Sequence, residues 1–224
     1  TGVSTAYGDY TITATYLNGI QELFGGNGSL FVEKGFYPFY AIVEGSNNLF
    51  SGPGDIYSPI TLKNGSSQLY LDLMGRVLSN IVMHGGTIIL ENDIAFGNNA
   101  TITGSGNVQA FGYSVNLPSS SVVLTSTLNL NGNGAVFHLN SDITMASPLT
   151  FNGHWVINGN GNMLDFSNSG ALIVGKNSYV ELKNITLRRV KDHVIRCFDN
   201  SGQFNFDAIN ILMSNDYSFT VGSF

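Results

Sequence analysis

Side chains able to do chemistry are sparse in this chain and lie far apart. Its fifteen acidic residues are dispersed, and Asp93, Asp142 and Asp165 each stand alone beside a short apolar run. Cleaving a glycosidic bond takes two carboxylates at a set separation, and no local pair of that kind occurs. Asp93 and Asp142 occupy turn positions, where a carboxylate bonds backbone N–H groups. The four histidines (His84, His138, His154 and His193) show no metal-ligand spacing. Cys197 is the only cysteine, which rules out a disulfide within the chain, and its expected role is that of a small buried hydrophobe. Gly-x-Gly pieces such as that at 159–161 carry no phosphate-binding meaning, because no helix follows them. No cofactor, metal or catalytic residue is expected.

The one dense run of charge is basic. Six of the nine Lys and Arg residues fall between Lys176 and Arg196. Arg188, Arg189, Lys191 and Arg196 are the candidate partner contacts, facing an acidic glycan or another protein; the alternative is a solvated face. The chain as a whole has a net charge of −6. Nucleic acid is therefore not an expected partner, since phosphate neutralisation needs a basic surface. No run of about 18 apolar residues is present to span a membrane as a helix. Residue 1 is read as a processed or trimmed start.

Only 11% of residues are charged, while 43% are hydrophobic. Gly (27), Asn (26) and Ser (23) make up the polar balance. Aromatic content and low charge argue for a folded chain. Low Lys and Glu beside high Asn, Ser, Thr and Gly is the texture of secreted or cell-surface β proteins, so an extracellular location is expected. Asn27, Asn64, Asn99 and Asn184 begin Asn-x-Ser/Thr triplets and are candidate glycosylation acceptors.

The elements follow from the apolar pattern. From His154 to Val190, apolar pairs spaced two apart (Leu164/Phe166, Leu172/Val174, Val180/Leu182, Ile185/Leu187) alternate with Gly, Asn and Ser. A period of two marks strands with one buried face, and the separators mark turns. Very short strands with tight corners spell a β-solenoid. Val180-x-Leu182-x-x-Ile185-x-Leu187 is echoed further on by Phe204-x-Phe206-x-x-Ile209-x-Ile211. The spacing predicts an all-β, right-handed parallel β-helix with coils of about 24 residues, and Asn184 at a left-handed corner. Two longer echoes, Leu90/Asp93/Ile94 with Leu139/Asp142/Ile143 and Ile102–Asn107 with Ile157–Asn162, predict that 86–117 and 134–166 are copies of one two-coil unit. A β-sandwich is the alternative fold.

Residues 1–60 differ in texture and are expected to form an aromatic-rich N-terminal cap or interface region, with the repeats occupying 61–224. Residues 16–24 are expected to make one short helical turn. Phe36, Tyr37, Phe39 and Tyr40 surround Pro38. With Phe219 and Phe224 at the other end, they are the candidate self-association residues, since the solenoid is expected to stop open there.

The stretches GGTIILENDIAF, VINGNGNMLDF and NSYVELKNITLRRV resemble repeat-built parallel β-helix proteins of bacterial cell surfaces, of the pectin-lyase-like or passenger-like kind. The resemblance covers about residues 60–224. It implies a long fibre-like protein of which this chain is a segment, and it implies no catalytic residues. Gly153-His154-Trp155 differs from the Gly-His-Gly of β-helix pectin hydrolases, and no Asp-Asp pair accompanies it. The expected function is that of a non-enzymatic structural β-helix, self-associating into a homo-oligomer or filament. An adhesin or glycan-binding module for a glycan or host surface is the first alternative, and a pectate-lyase-like enzyme the second.

Overall fold

The computed structural model describes residues 3–6, 9–18, 21–24, 27–37, 40–167, 169–191 and 193–212, with side chains described from residue 27 onward except 36–40. Among the described residues, twenty-three strands and no helix occur, and the strands join in one parallel sheet wound into a β-solenoid of about nine turns. Each turn has three sides. The first holds Tyr40–Val43, Ile60–Leu62 and the start of Ile81–Leu90. The second holds Asn47–Gly52, Gln68–Leu73 and the end of Ile81–Leu90. The third holds Asp55–Ile56, Arg76–Val77 and Ile94–Phe96.

Alternation explains why these segments are strands. In Gln68–Leu73, Leu69, Leu71 and Leu73 are at most 2% exposed, while the residues between them face outward. Stacking puts like on like. Leu69, Ile88, Val108, Leu130, Phe151 and Val174 form one inward column running through six turns. Burial of such side chains is worth about 1.5–3 kcal/mol each. The widest core residue, Trp155, is fully buried, packs edge-on to Phe151 at 5.4 Å, and donates its indole N–H to the Asn152 carbonyl at 3.1 Å. Gly132 leaves room for that indole, because a Cβ there would lie 2.6 Å from Trp155 Cε2.

The corners are the demanding part. Several long strands run round a corner unbroken, and each carries one residue of positive φ at the bend. These are Gly104 (87°) in Ile102–Phe111, Gly134 (82°) in Thr127–His138, Gly153 (83°) in Pro148–Asn158, Asn184 (47°) in Tyr179–Arg188 and Ala208 (53°) in Gln203–Leu212. The left-handed corner expected at Asn184 is present, and Ala208 repeats it one turn later without the help of an Asn side chain.

Turn length is not constant. Tyr10 pairs with Gly28 near the start of the chain and Val180 with Phe204 near its end, so the later turn is the longer one. The echo of Val180 at Phe204 is in register, but it belongs to the last turns; the average spacing is about 21. The added residues sit in corners such as 175–178 and 198–202, outside the strands.

The two longer echoes do not relate equivalent positions. Ile94 lies on the third side against Val115, whereas Ile143 lies on the first side against Val122 and Leu164. Ile102 is on the first side and Ile157 on the third. The echoes thus span two and a third turns and two and two-thirds turns. Residues 86–117 and 134–166 are not copies of one unit: the sides resemble one another, because each is two inward apolar residues and a corner. Where a short helical turn is expected, the described residues of 16–24 belong to the strands Asp9–Asn18 and Gln21–Phe24. Pairing also crosses residue 60 unbroken, with Ala41–Val43 against Ile60–Leu62. The stretch expected to be a cap region thus pairs as solenoid turns do.

The corners make a graded prediction. Gly134→Ala meets no neighbouring atom and should cost only the left-handed strain, about 1–2 kcal/mol. Gly153→Ala would bring Cβ within 1.9 Å of the Gly132 carbonyl oxygen and should cost clearly more. Ala208→Gly should stabilise, by about 1 kcal/mol or less. Chemical denaturation of the three variants checks the order, and equal losses at Gly134 and Gly153 would contradict it.

Candidate functional site

The basic run expected to meet a partner is largely engaged within the fold. Asp165 faces outward on the first side, directly above Arg188 in the strand ladder, yet is only 8% exposed. Its Oδ1 accepts from Arg189 Nε at 2.5 Å, and its Oδ2 lies 3.7 Å from Arg188 Nη1. Two guanidiniums therefore close over one carboxylate. Lys183 pairs with Asp207 at 3.6 Å. Lys191 is half-buried. Arg196 remains exposed, and its Nη1 donates to the His193 carbonyl at 2.7 Å.

Of the expected self-association residues, Phe36, Tyr37 and Tyr40 have strand backbone, but their side chains lie outside the described residues, as do Phe39, Phe219 and Phe224 altogether. The aromatic side chains that are described and exposed, among them Phe31, Phe111 and Phe198, are scattered over different turns.

The lone aspartates close corners. Asp55, Asp93 and Asp142 each accept the backbone N–H of the residue 21 positions later: Arg76 at 2.7 Å, Ser114 at 2.7 Å and Met163 at 2.8 Å. A side chain thus supplies the inter-turn bond where the backbone turns away. Asp55 also pairs with the Arg76 guanidinium at 2.9 Å. Burial pushes its carboxyl up, but hydrogen bonds from the Arg76 side chain and backbone, the Arg76 charge and a Tyr57 contact together hold it below the ordinary value. Asp199 is likewise lowered, chiefly by the Ser201 hydroxyl and N–H. Burial, with the Asp199 charge, pushes the Cys197 thiol up, which disfavours the nucleophilic thiolate. Among the described residues no group of three His, Cys, Asp or Glu side chains could hold a metal. Open hollows among the described residues include one of about 530 Å³ beside Lys176, Asp199 and Ser201 and another of about 430 Å³ along Arg76, Asn98, Asn116 and Asn140.

One feature escaped sequence reasoning. On the second side, Asn47, Gln68, Thr87, Asn107, Asn129 and Thr150 stack outward in a single column through consecutive turns. The step from Gln68 to Thr87 is shorter than that from Asn107 to Asn129, so no fixed period reveals them. The available signal is that each stands one position before an inward residue of the column from Asn48 through Leu69 to Phe151.

No protein-family model, curated protein or solved structure matches the chain.

Two outcomes are expected from these contacts. Because Asp55 titrates lower folded than unfolded, its stabilisation is complete above the unfolded carboxyl value of about 3.9 and is lost as pH falls through the lower folded value. Thermal melts of the wild type and Asp55→Asn should therefore converge as pH drops from neutral through that window; parallel curves would contradict it. Arg188→Ala combined with Arg189→Ala strips a nearly buried carboxylate of both cations and should cost about 1–3 kcal/mol, measured by denaturant unfolding.

Proposed function

We propose that this chain is a non-enzymatic structural β-solenoid, working outside the cell or at a cell surface, that joins a second copy of itself through the turn holding Gln203–Leu212. One observation carries the reading. In Tyr179–Arg188 the inward Val180, Leu182, Ile185 and Leu187 are at most 2% exposed. One turn later their partners Phe204, Phe206, Ile209 and Ile211 are only partly covered, with Phe206 42% exposed. Gln203–Leu212 also has one free edge among the described residues, and an open parallel edge is a template for another strand. Joining ends with a constant rotation builds an open filament.

The sparse, interspersed charge and the Asn-, Ser- and Gly-rich corners agree with a surface or extracellular setting. The likeness to bacterial surface solenoids belongs to this same proposal. A pectate-lyase-like activity would need carboxylates, or a carboxylate and a Lys or Arg, converging in one groove. Asp55, Asp93, Asp142 and Asp165 are instead bonded one by one into separate corners and ion pairs; Asp199 does share a hollow with Lys176, but it accepts the Ser201 N–H and hydroxyl as a turn carboxylate does.

Light scattering and electron microscopy over a rising concentration series test the reading. Assembly should appear, and Phe206→Asp with Ile211→Asp should abolish it without unfolding the turns before residue 179. A strict monomer at high concentration would overturn the proposal.

A further inference from the structure

We infer that the outer surface of the second side is a binding face for a linear, neutral polysaccharide. This does not depend on self-association, which concerns the turn holding Gln203–Leu212.

The column from Asn47 to Thr150 holds carboxamides and hydroxyls in register over six consecutive turns. Successive members stand about 4.8 Å apart along the axis, so the column is about 24 Å long. Beside it, two residues along each strand and about 6.7 Å away, runs a second outward column. Its first half is apolar (Leu49 and Tyr70 half-buried, Ile89 only 7% exposed) and its second half is amide (Gln109, Asn131, Asn152). Neither column contains a charged residue in these six turns.

Most of this hydrogen-bonding capacity is unused within the protein. Asn129 Nδ2 reaches Asn107 Oδ1 at 3.3 Å, and Asn131 Nδ2 reaches the Asn129 carbonyl at 3.4 Å, both long contacts. Among the described residues, the side chains of Asn47, Gln68, Thr87, Gln109 and Thr150 make no hydrogen bond. An Asn ladder serving only stability would link every rung to the next. Here five outward carboxamides or hydroxyls keep their donors and acceptors for something else.

The chemistry selects the ligand. With no cation in either column, the strip has nothing to neutralise phosphates or uronates. A neutral sugar chain has hydroxyls along its edges and C–H faces on its rings. Carboxamides and Thr hydroxyls satisfy the first, and the half-buried Tyr70 and Leu49 pack against the second. An extended polymer also repeats, which suits a face whose donors recur at every turn. Many weak contacts summed along the chain then supply affinity. This face is lateral, so further turns stacked on either end would leave it open.

Titration calorimetry with a panel of neutral oligosaccharides (cellohexaose, laminarihexaose, mannohexaose and xylohexaose), at low and at high salt, provides the test. At least one should bind, with affinity insensitive to salt. Asn107→Ala with Asn129→Ala, and separately Tyr70→Ala, should each weaken it by about tenfold or more, with melting temperatures near wild type. Gln68→Ala is the single-site check should the double variant lose stability. Three results would overturn the inference: no binding by any member of the panel; binding only of an oligogalacturonate and only at low salt; or self-association that disappears in the Asn107/Asn129 variant, which would mean that the amide columns of two copies zip together.

Discussion

Every turn of this protein must lay its strands directly over those of the turn before, because a parallel ladder pairs each strand with the one a full turn away. That requirement fixes inward residues into columns and forces the chain to change direction at the same three places each time. The change is sharp enough that five bent strands make it with a residue of positive φ at the bend, namely Gly104, Gly134, Gly153, Asn184 and Ala208. Between corners, the strands tolerate little variation. At the corners, residues are added freely. The turn from Val180 to Phe204 is therefore longer than that from Tyr10 to Gly28, without any change in how the sides pair.

The same stacking decides what the few charges do. Glu44 pairs with Lys63, Asp55 with Arg76, Asp165 with Arg188 and Arg189, and Lys183 with Asp207. Each pair joins one turn to the next. Exposed pairs of this kind contribute little individually. Their position matters more, since they take up charge that would otherwise sit in neighbouring rungs only about 4.8 Å apart, where like charges repel. A low-charge chain is thus what a tightly stacked solenoid accommodates, and the basic run near the C-terminal end is mostly part of that arrangement.

Two kinds of surface remain. The turn holding Gln203–Leu212 leaves core residues half-covered, and the proposed assembly rests on them. A side offers whatever the outward column carries, repeated at the rung spacing. The proposed assembly and the proposed polymer binding use different surfaces, so neither excludes the other.

Much of the fold is legible in the residues themselves. Period-two apolar pairs separated by Gly and Asn determine an all-β solenoid, because alternation fixes which face is buried and turn residues fix where strands stop. The pairing of Val180 with Phe204 and the left-handed Asn184 follow from the same reading, since Val180-x-Leu182 and Phe204-x-Phe206 are true neighbours in the ladder. What the sequence alone could not decide depends on register between turns. The two longer echoes match one side to a different side, because all three sides obey one pattern. Arg188 and Arg189 look like a free basic strip until stacking brings Asp165, a full turn earlier, beside them. The column from Asn47 to Thr150 is invisible for the same reason: its members are neighbours only once corners of unequal length have been closed, and only the tertiary structure closes them.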